Sequence, residues 1–232
     1  MVYSDIRARA RDSLRGYWGQ AIGVTVVASL LGGGIAAASF NFNLNIDAGS
    51  LQAMPEILST FFTMVLSLSG VLGLAQFIIG GAVQLGFAVY LLKRFHRQET
   101  QFSDLFSQFF RFGQGFAQKF LCGLYTFLWA LLFVIPGIVK SYSYAMTPFI
   151  LADDPNLTAG EAITRSRELM DGHKWELFVL ELTFIGWEIL GALTLGIGLL
   201  WVVPYMSAAR AAFYREIAGY PKYTMEPLVT SS

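Results

Sequence analysis

The chain has 232 residues, of which 55% are hydrophobic and 14% charged, and its formal net charge is zero. Soluble domains carry about 25% charged residues, so this chain is too poor in polar side chains to cover a soluble globule, and an all-α, polytopic membrane protein is expected. A neutral chain offers no bulk field for nucleic acid, and the single cysteine, Cys122, excludes an intrachain disulfide framework and a cysteine-rich metal site.

Arg7, Arg9, Arg11 and Arg15 precede the first apolar run, Trp18 to about Ala38. That run is long enough for a ~30 Å hydrocarbon core at ~1.5 Å per residue, and Gly32, Gly33 and Gly34 would allow close helix approach. A secretory signal ending at Ala36 to Ala38 is the rival reading. The polar loop from Asn41 to Glu56 has no Lys or Arg. The next run, Ile57 to Leu92, is too short for two spans and a turn. It reads as one long tilted or kinked helix that ends in Lys93, Arg94, His96 and Arg97.

From Phe102 to Lys119, phenylalanines recur at helical spacing among Asp104, Gln108, Arg111 and Gln114. The spacing predicts an amphipathic helix, lying at the membrane interface or packed beneath the protein's own membrane part. Phe120 to Leu151 is apolar and broken at Pro136 and Gly137, which suggests a short hairpin turning near Pro136. Thr158 and Glu161 have capping-box spacing, so a helix should begin there. Leu177 to Tyr214 divides at a glycine-rich turn, Leu193 to Gly198, into two helices.

One motif occurs twice. Arg9, Arg11, Asp12, Leu14, Gly16 and Tyr17 match Arg165, Arg167, Glu168, Met170, Gly172 and His173 in order and spacing. Each copy precedes an apolar run, so both should lie on one side of the membrane. Positive charge places that side in the cytoplasm. The expected architecture is about six membrane segments with both termini inside. They form one membrane domain over 1–220, in three units of an interfacial helix plus a hairpin (about 1–97, 98–155 and 156–220). A flexible tail, 221–232, follows. A five-span arrangement would instead put the second motif copy outside.

Ionisable residues at membrane depth are costly and usually paired. Counting outward from a turn near Leu195 and Gly196 sets Glu181 level with Arg210, so an ion pair is expected between them. Glu188, seven residues on, returns to nearly the same helical face, with Lys140 as its candidate partner. These four residues either fix helix register or line a polar cavity or relay. Arg7, Arg9, Arg11, Arg15, Arg165 and Arg167 either contact anionic headgroups, at roughly 1 kcal/mol each near the surface, or simply enforce topology. No cofactor or catalytic residue is expected. His96 and His173 lack metal-ligand spacing, Asp153 and Asp154 read as loop or cap residues, and no phosphate-binding loop is present.

Several strings have a recognisable pattern. They are Pro136 to Tyr144, Ile150 to Pro155, Glu161 to Arg167 and Met170 to Trp175, then Phe184 to Trp187, Gly196 to Trp201, Pro204-Tyr205 and Phe213-Tyr214. Together they resemble the bacterial integral membrane family called domain of unknown function 975, with His173 where Tyr would be more usual. The hairpin pattern also looks, more distantly, like the membrane domains attached to some glycerophosphodiester phosphodiesterases. The resemblance implies a multi-pass protein of the bacterial cytoplasmic membrane and brings no catalytic residue with it. The expected role is a non-enzymatic scaffold or accessory subunit that contacts membrane lipids, a protein partner or a second copy of the chain. The alternative is a small transporter or permease component with a polar intramembrane site.

Overall fold

The computed structural model describes residues 3–33, 56–96, 98–132, 134–194 and 196–220. Expectations for Gly34, the run Ala36 to Ala38, the loop before Glu56, Arg97 and the tail after Tyr220 lie outside these residues. Among the described residues every regular element is helical.

Helix α1 (Tyr3–Leu14) buries Ile6, Ala10 and Leu14, one face at i, i+4 and i+8. Gly16 then takes φ +82° and α2 (Trp18–Leu30) begins. The second motif copy repeats this corner. Helix α7 (Ala159–Leu169) and the residue after it bury Ala162, Ser166 and Met170; Gly172 takes φ +80°, and α8 (Lys174–Leu182) follows. The backbone bonds correspond one for one. Arg15 N donates to Asp12 O and Tyr17 N to Leu14 O, as Asp171 N does to Glu168 O and His173 N to Met170 O. The repeated letters therefore encode a helix–corner–helix unit whose left-handed glycine ends one helix and redirects the chain into the next.

Helix α2 stops at Leu30, short of the expected end near Ala38. Gly32 takes φ +75°, the left-handed conformation that terminates helices. Two side chains from elsewhere satisfy the freed carbonyls. Gln76 Nε2 donates to Leu30 O at 2.7 Å and Lys119 Nζ to Gly32 O at 2.5 Å.

Helix α3 (Glu56–Phe95) is continuous over 40 residues, as the long apolar run predicts. Its segment Ala75–Phe95 is the one stretch among the described residues that is long and apolar enough to cross a membrane. Six such segments are not found among the described residues; α2 is apolar but shorter. Gly80 and Gly81 serve as contact points. A Cβ on Gly81 would collide with the Gly115 carbonyl, and one on Gly80 with Lys119 Nζ and Gly32 O.

Of the amphipathic helix expected from Phe102 to Lys119, the first part forms two 3-10 turns, Phe102–Phe106 and Phe109–Arg111, and only 112–119 is α-helical. The polar residues that set its pattern are drawn inward by distant partners. Asp104 is buried and pairs with Lys93 at 2.5 Å. Buried Arg111 donates to Leu151 O at 3.2 Å and Pro155 O at 2.7 Å. Phe110 is 82% exposed.

A hairpin follows, with a long arm α4 (Phe112–Leu132) and a short arm α5 (Val134–Ser143). The arms pack so closely that a Cβ on Gly137 would lie 2.7 Å from Ala130 Cα. Pro136 sits in the first turn of α5, where its missing N–H breaks no helical bond. The hairpin thus turns near Pro136, as expected. Helix α6 (Thr147–Asp153) leads to α7, which opens on the expected capping box between Thr158 and Glu161.

Helix α8 gives way at Thr183 and Phe184 to α9 (Ile185–Leu193), which turns at Gly196, φ +85°, into α10 (Leu199–Ile217). Thr194 Oγ1 holds this turn, accepting from Gly198 N at 2.9 Å and donating to Gly191 O at 2.8 Å. Helix α10 packs on α1, α2, α3, α8 and α9 and so joins the N-terminal and C-terminal parts.

Candidate functional site: a polar cleft at the junction of six helices

The expected pair is present. Arg210 Nη2 on α10 meets Glu181 Oε1 on α8, with the side chains 13% and 15% exposed. Tyr142 on α5 donates its hydroxyl to the other carboxylate oxygen, Glu181 Oε2, at 2.9 Å. Tyr142 is itself steadied by an edge-to-face contact with Phe178, centroids 6.1 Å apart. Three helices thus converge on one carboxylate, and charge-assisted bonds of this kind are stronger than neutral ones.

Glu181, Tyr142 and Arg210 form part of the wall of an open cleft of about 710 Å³. Helix α3 contributes Gln84; α4 contributes Gln118, Lys119, Cys122 and Thr126. The rest of the wall is largely apolar, including Phe127, Ala130, Ile138 and Pro148. Gln118 is only 3% exposed, and its Oε1 has no hydrogen-bond partner. Lys119 reaches across α3 to the end of α2, where its charge complements the negative end of that helix.

Lys119 and Gln118 were hidden by the expected interfacial helix, which ran through both. The signal for Gln118 is nevertheless in the sequence. Gln118, Cys122 and Thr126 stand at i, i+4 and i+8, a polar stripe along one face of the helix.

Glu188 and Lys140 do not join the site. Neither lines the cleft, and no ion pair links them. Lys140 Nζ lies over the Trp129 ring, 4.8 Å from its centroid. The reason is the break between α8 and α9. Phe184 N donates to Glu181 O, a 3-10 bond, so the seven-residue return of a continuous α-helix does not apply.

The arginines divide. Arg9 is paired with Glu216 on α10, and the Arg7 carbonyl accepts from the Tyr205 hydroxyl at 3.2 Å. Arg11, Arg15, Arg165 and Arg167 are exposed. Arg94, at the end of α3, donates to Ser13 O at 3.0 Å and lies 3.7 Å from the Tyr17 ring centroid, closing the first corner.

A second polar cluster gathers where α3, α6 and α10 end. Asp153 accepts from Tyr214 at 2.9 Å and also from Tyr220. Burial, and then the Asp153 carboxylate, push the Tyr220 hydroxyl up to about 12. Arg215 Nη1 lies 2.8 Å from His96 Nε2. Burial first, and the Arg215 charge second, hold His96 below its ordinary value, against the opposing pull of Asp153. Among the described residues no group of three or more His, Cys, Asp or Glu side chains could hold a metal ion.

These features define an all-helical protein with two Gly-cornered units and a central hairpin, whose polar cleft is lined from α3, the central hairpin, α6, α8 and α10. The chain belongs to the family described as Protein of unknown function (DUF975), whose family model matches residues 1–143 and 131–220. The two matches overlap on the turn and short arm α5. No curated protein and no solved structure matches the chain.

Proposed function

We propose that the chain is a multi-pass protein of the bacterial cytoplasmic membrane, with both termini in the cytoplasm, and that it acts as a non-enzymatic scaffold or accessory subunit in contact with lipid. The observation that carries this reading is the outward apolar surface of the two hairpins. Leu131 and Ile135 at one tip are 71% and 76% exposed, and Leu193 at the other is 75% exposed. Trp129, Trp187 and Trp201 are exposed on the same arms. Large apolar side chains exposed in this number suit a lipid or protein neighbour rather than water. The corners carry the exposed arginines Arg11, Arg15, Arg165 and Arg167, which suits a cytoplasmic face. The non-enzymatic reading is supported by the state of Glu181. This carboxylate of the cleft is held by Arg210 and Tyr142 instead of being poised as a general base.

The alternative, a small transporter or permease component, is favoured by the cleft itself, where an ion pair, Gln118 and Lys119 share one open space. The membrane reading is tested by carbonate extraction of cells expressing the full chain. Retention in the membrane pellet is expected; release into the supernatant would refute it.

A further inference from the structure

Resting on the membrane reading, we propose that the cleft between α3, α4, α5, α6, α8 and α10 binds the anionic headgroup of a membrane amphiphile, Lys119 supplying the charge and the Gln118 amide a hydrogen bond. The charge balance points to an anion. Lys119, Glu181 and Arg210 are the formally charged residues of the described wall. Glu181 and Arg210 cancel, which leaves Lys119 with a net positive charge. Its ammonium contacts the Gly32 carbonyl and no carboxylate among the described residues. An ammonium has three donors, so donors are available for a ligand oxygen. In a low-dielectric setting an uncompensated cation is costly, and an anionic ligand would relieve that cost.

Gln118 supplies the independent observation. Its side chain is almost fully buried, lines the cleft, and leaves Oε1 unpartnered. Such a group is costly unless something bonds to it. A ligand that places a hydroxyl or other donor there would satisfy it. The fitting head is therefore an anionic phosphate that also carries a hydroxyl.

The mouth of the cleft identifies the rest of the ligand. Phe127 and Ile138 line the cleft and are also 63% and 52% exposed, on the outward apolar face of the central hairpin. A ligand whose head reaches Lys119 must therefore pass an apolar rim, which suits an attached acyl chain better than bulk water. The volume lies in the range of ordinary ligand sites, about 300–1,000 Å³.

The test is native mass spectrometry of the full chain in neutral detergent, offered phosphatidylglycerol, phosphatidylcholine and glycerol phosphate. Wild type should retain one phosphatidylglycerol in preference to phosphatidylcholine. Lys119→Gln should weaken that retention about tenfold, as expected for loss of a charge-assisted bond. Gln118→Leu should weaken it about three- to tenfold while leaving the lipid-free melting temperature unchanged or higher, which a merely structural role would not produce. Lys140→Gln, outside the cleft, should retain lipid like wild type. Equal retention by Lys119→Gln and Gln118→Leu would overturn the proposal. Displacement of the lipid by glycerol phosphate as effectively as by phosphatidylglycerol would also overturn it, showing a free-anion site. Release of the chain by carbonate would instead refute the membrane reading itself.

Discussion

Glu181 on α8 and Arg210 on α10 form an ion pair across the last hairpin, with Tyr142 of the central hairpin donating to the same carboxylate. The pair therefore ties the central unit to the last one. Breaking a buried pair by removing one partner costs about 3–5 kcal/mol, because the other charge is stranded. The residual exposure here puts the expected loss for Glu181→Gln toward about 3 kcal/mol. Combining it with Arg210→Met should restore part of that loss. Thermal unfolding in detergent, read as a double-mutant cycle, measures the coupling; additive losses would show that the two side chains act separately.

Gly16 and Gly172 hold left-handed corners with open space where a Cβ would sit. Alanine there meets no neighbour, so its cost is backbone strain alone, about 1–2 kcal/mol each. Gly160→Ala, on the helical backbone of α7 and equally unobstructed, should be neutral or mildly stabilising. Comparable losses at all three positions would mean that the corners are not what the glycines serve.

The crossing of α3 and α4 depends on Gly81 and Gly115, whose backbones approach too closely for a Cβ on either. Gly81→Ala should destabilise by about 1–3 kcal/mol through overpacking. Gly113→Ala, with nothing nearby, should not. Melting temperatures of the two variants decide the point.

His96 makes stability depend on pH. Its folded value lies below the ordinary 6.5, so the unfolded chain binds the proton more readily. The contribution is therefore complete above about pH 6.5 and is lost as pH falls below it. His96→Gln should flatten the melting temperature between pH 7.5 and 5.5. An unchanged slope in that variant would assign the pH dependence to other groups.

Legibility in the sequence followed the range of the interactions. The capping box at Thr158, the Gly-cornered repeat and the Glu181–Arg210 pair each depend on local spacing or on counting along one hairpin, and each was readable. The 3-10 turns after Phe102 were not, because Asp104 and Arg111 mimic the polar face of a helix while bonding to Lys93, Leu151 and Pro155. Glu188 was misplaced by a break in the helix that no proline or glycine at Thr183 or Phe184 announces. Lys119 was missed because its partner, the Gly32 carbonyl, belongs to a helix end that extended apolarity concealed.

In the proposed topology the hairpins cross a membrane and the Gly corners face the cytoplasm. In a Cys122→Ser background, Ile197→Cys marks the tip of the last hairpin and Arg165→Cys the second corner. A membrane-impermeant maleimide added to intact cells should label position 197 at once and position 165 only after permeabilisation. Labelling of position 165 in intact cells, or protection of position 197 until permeabilisation, would contradict this topology.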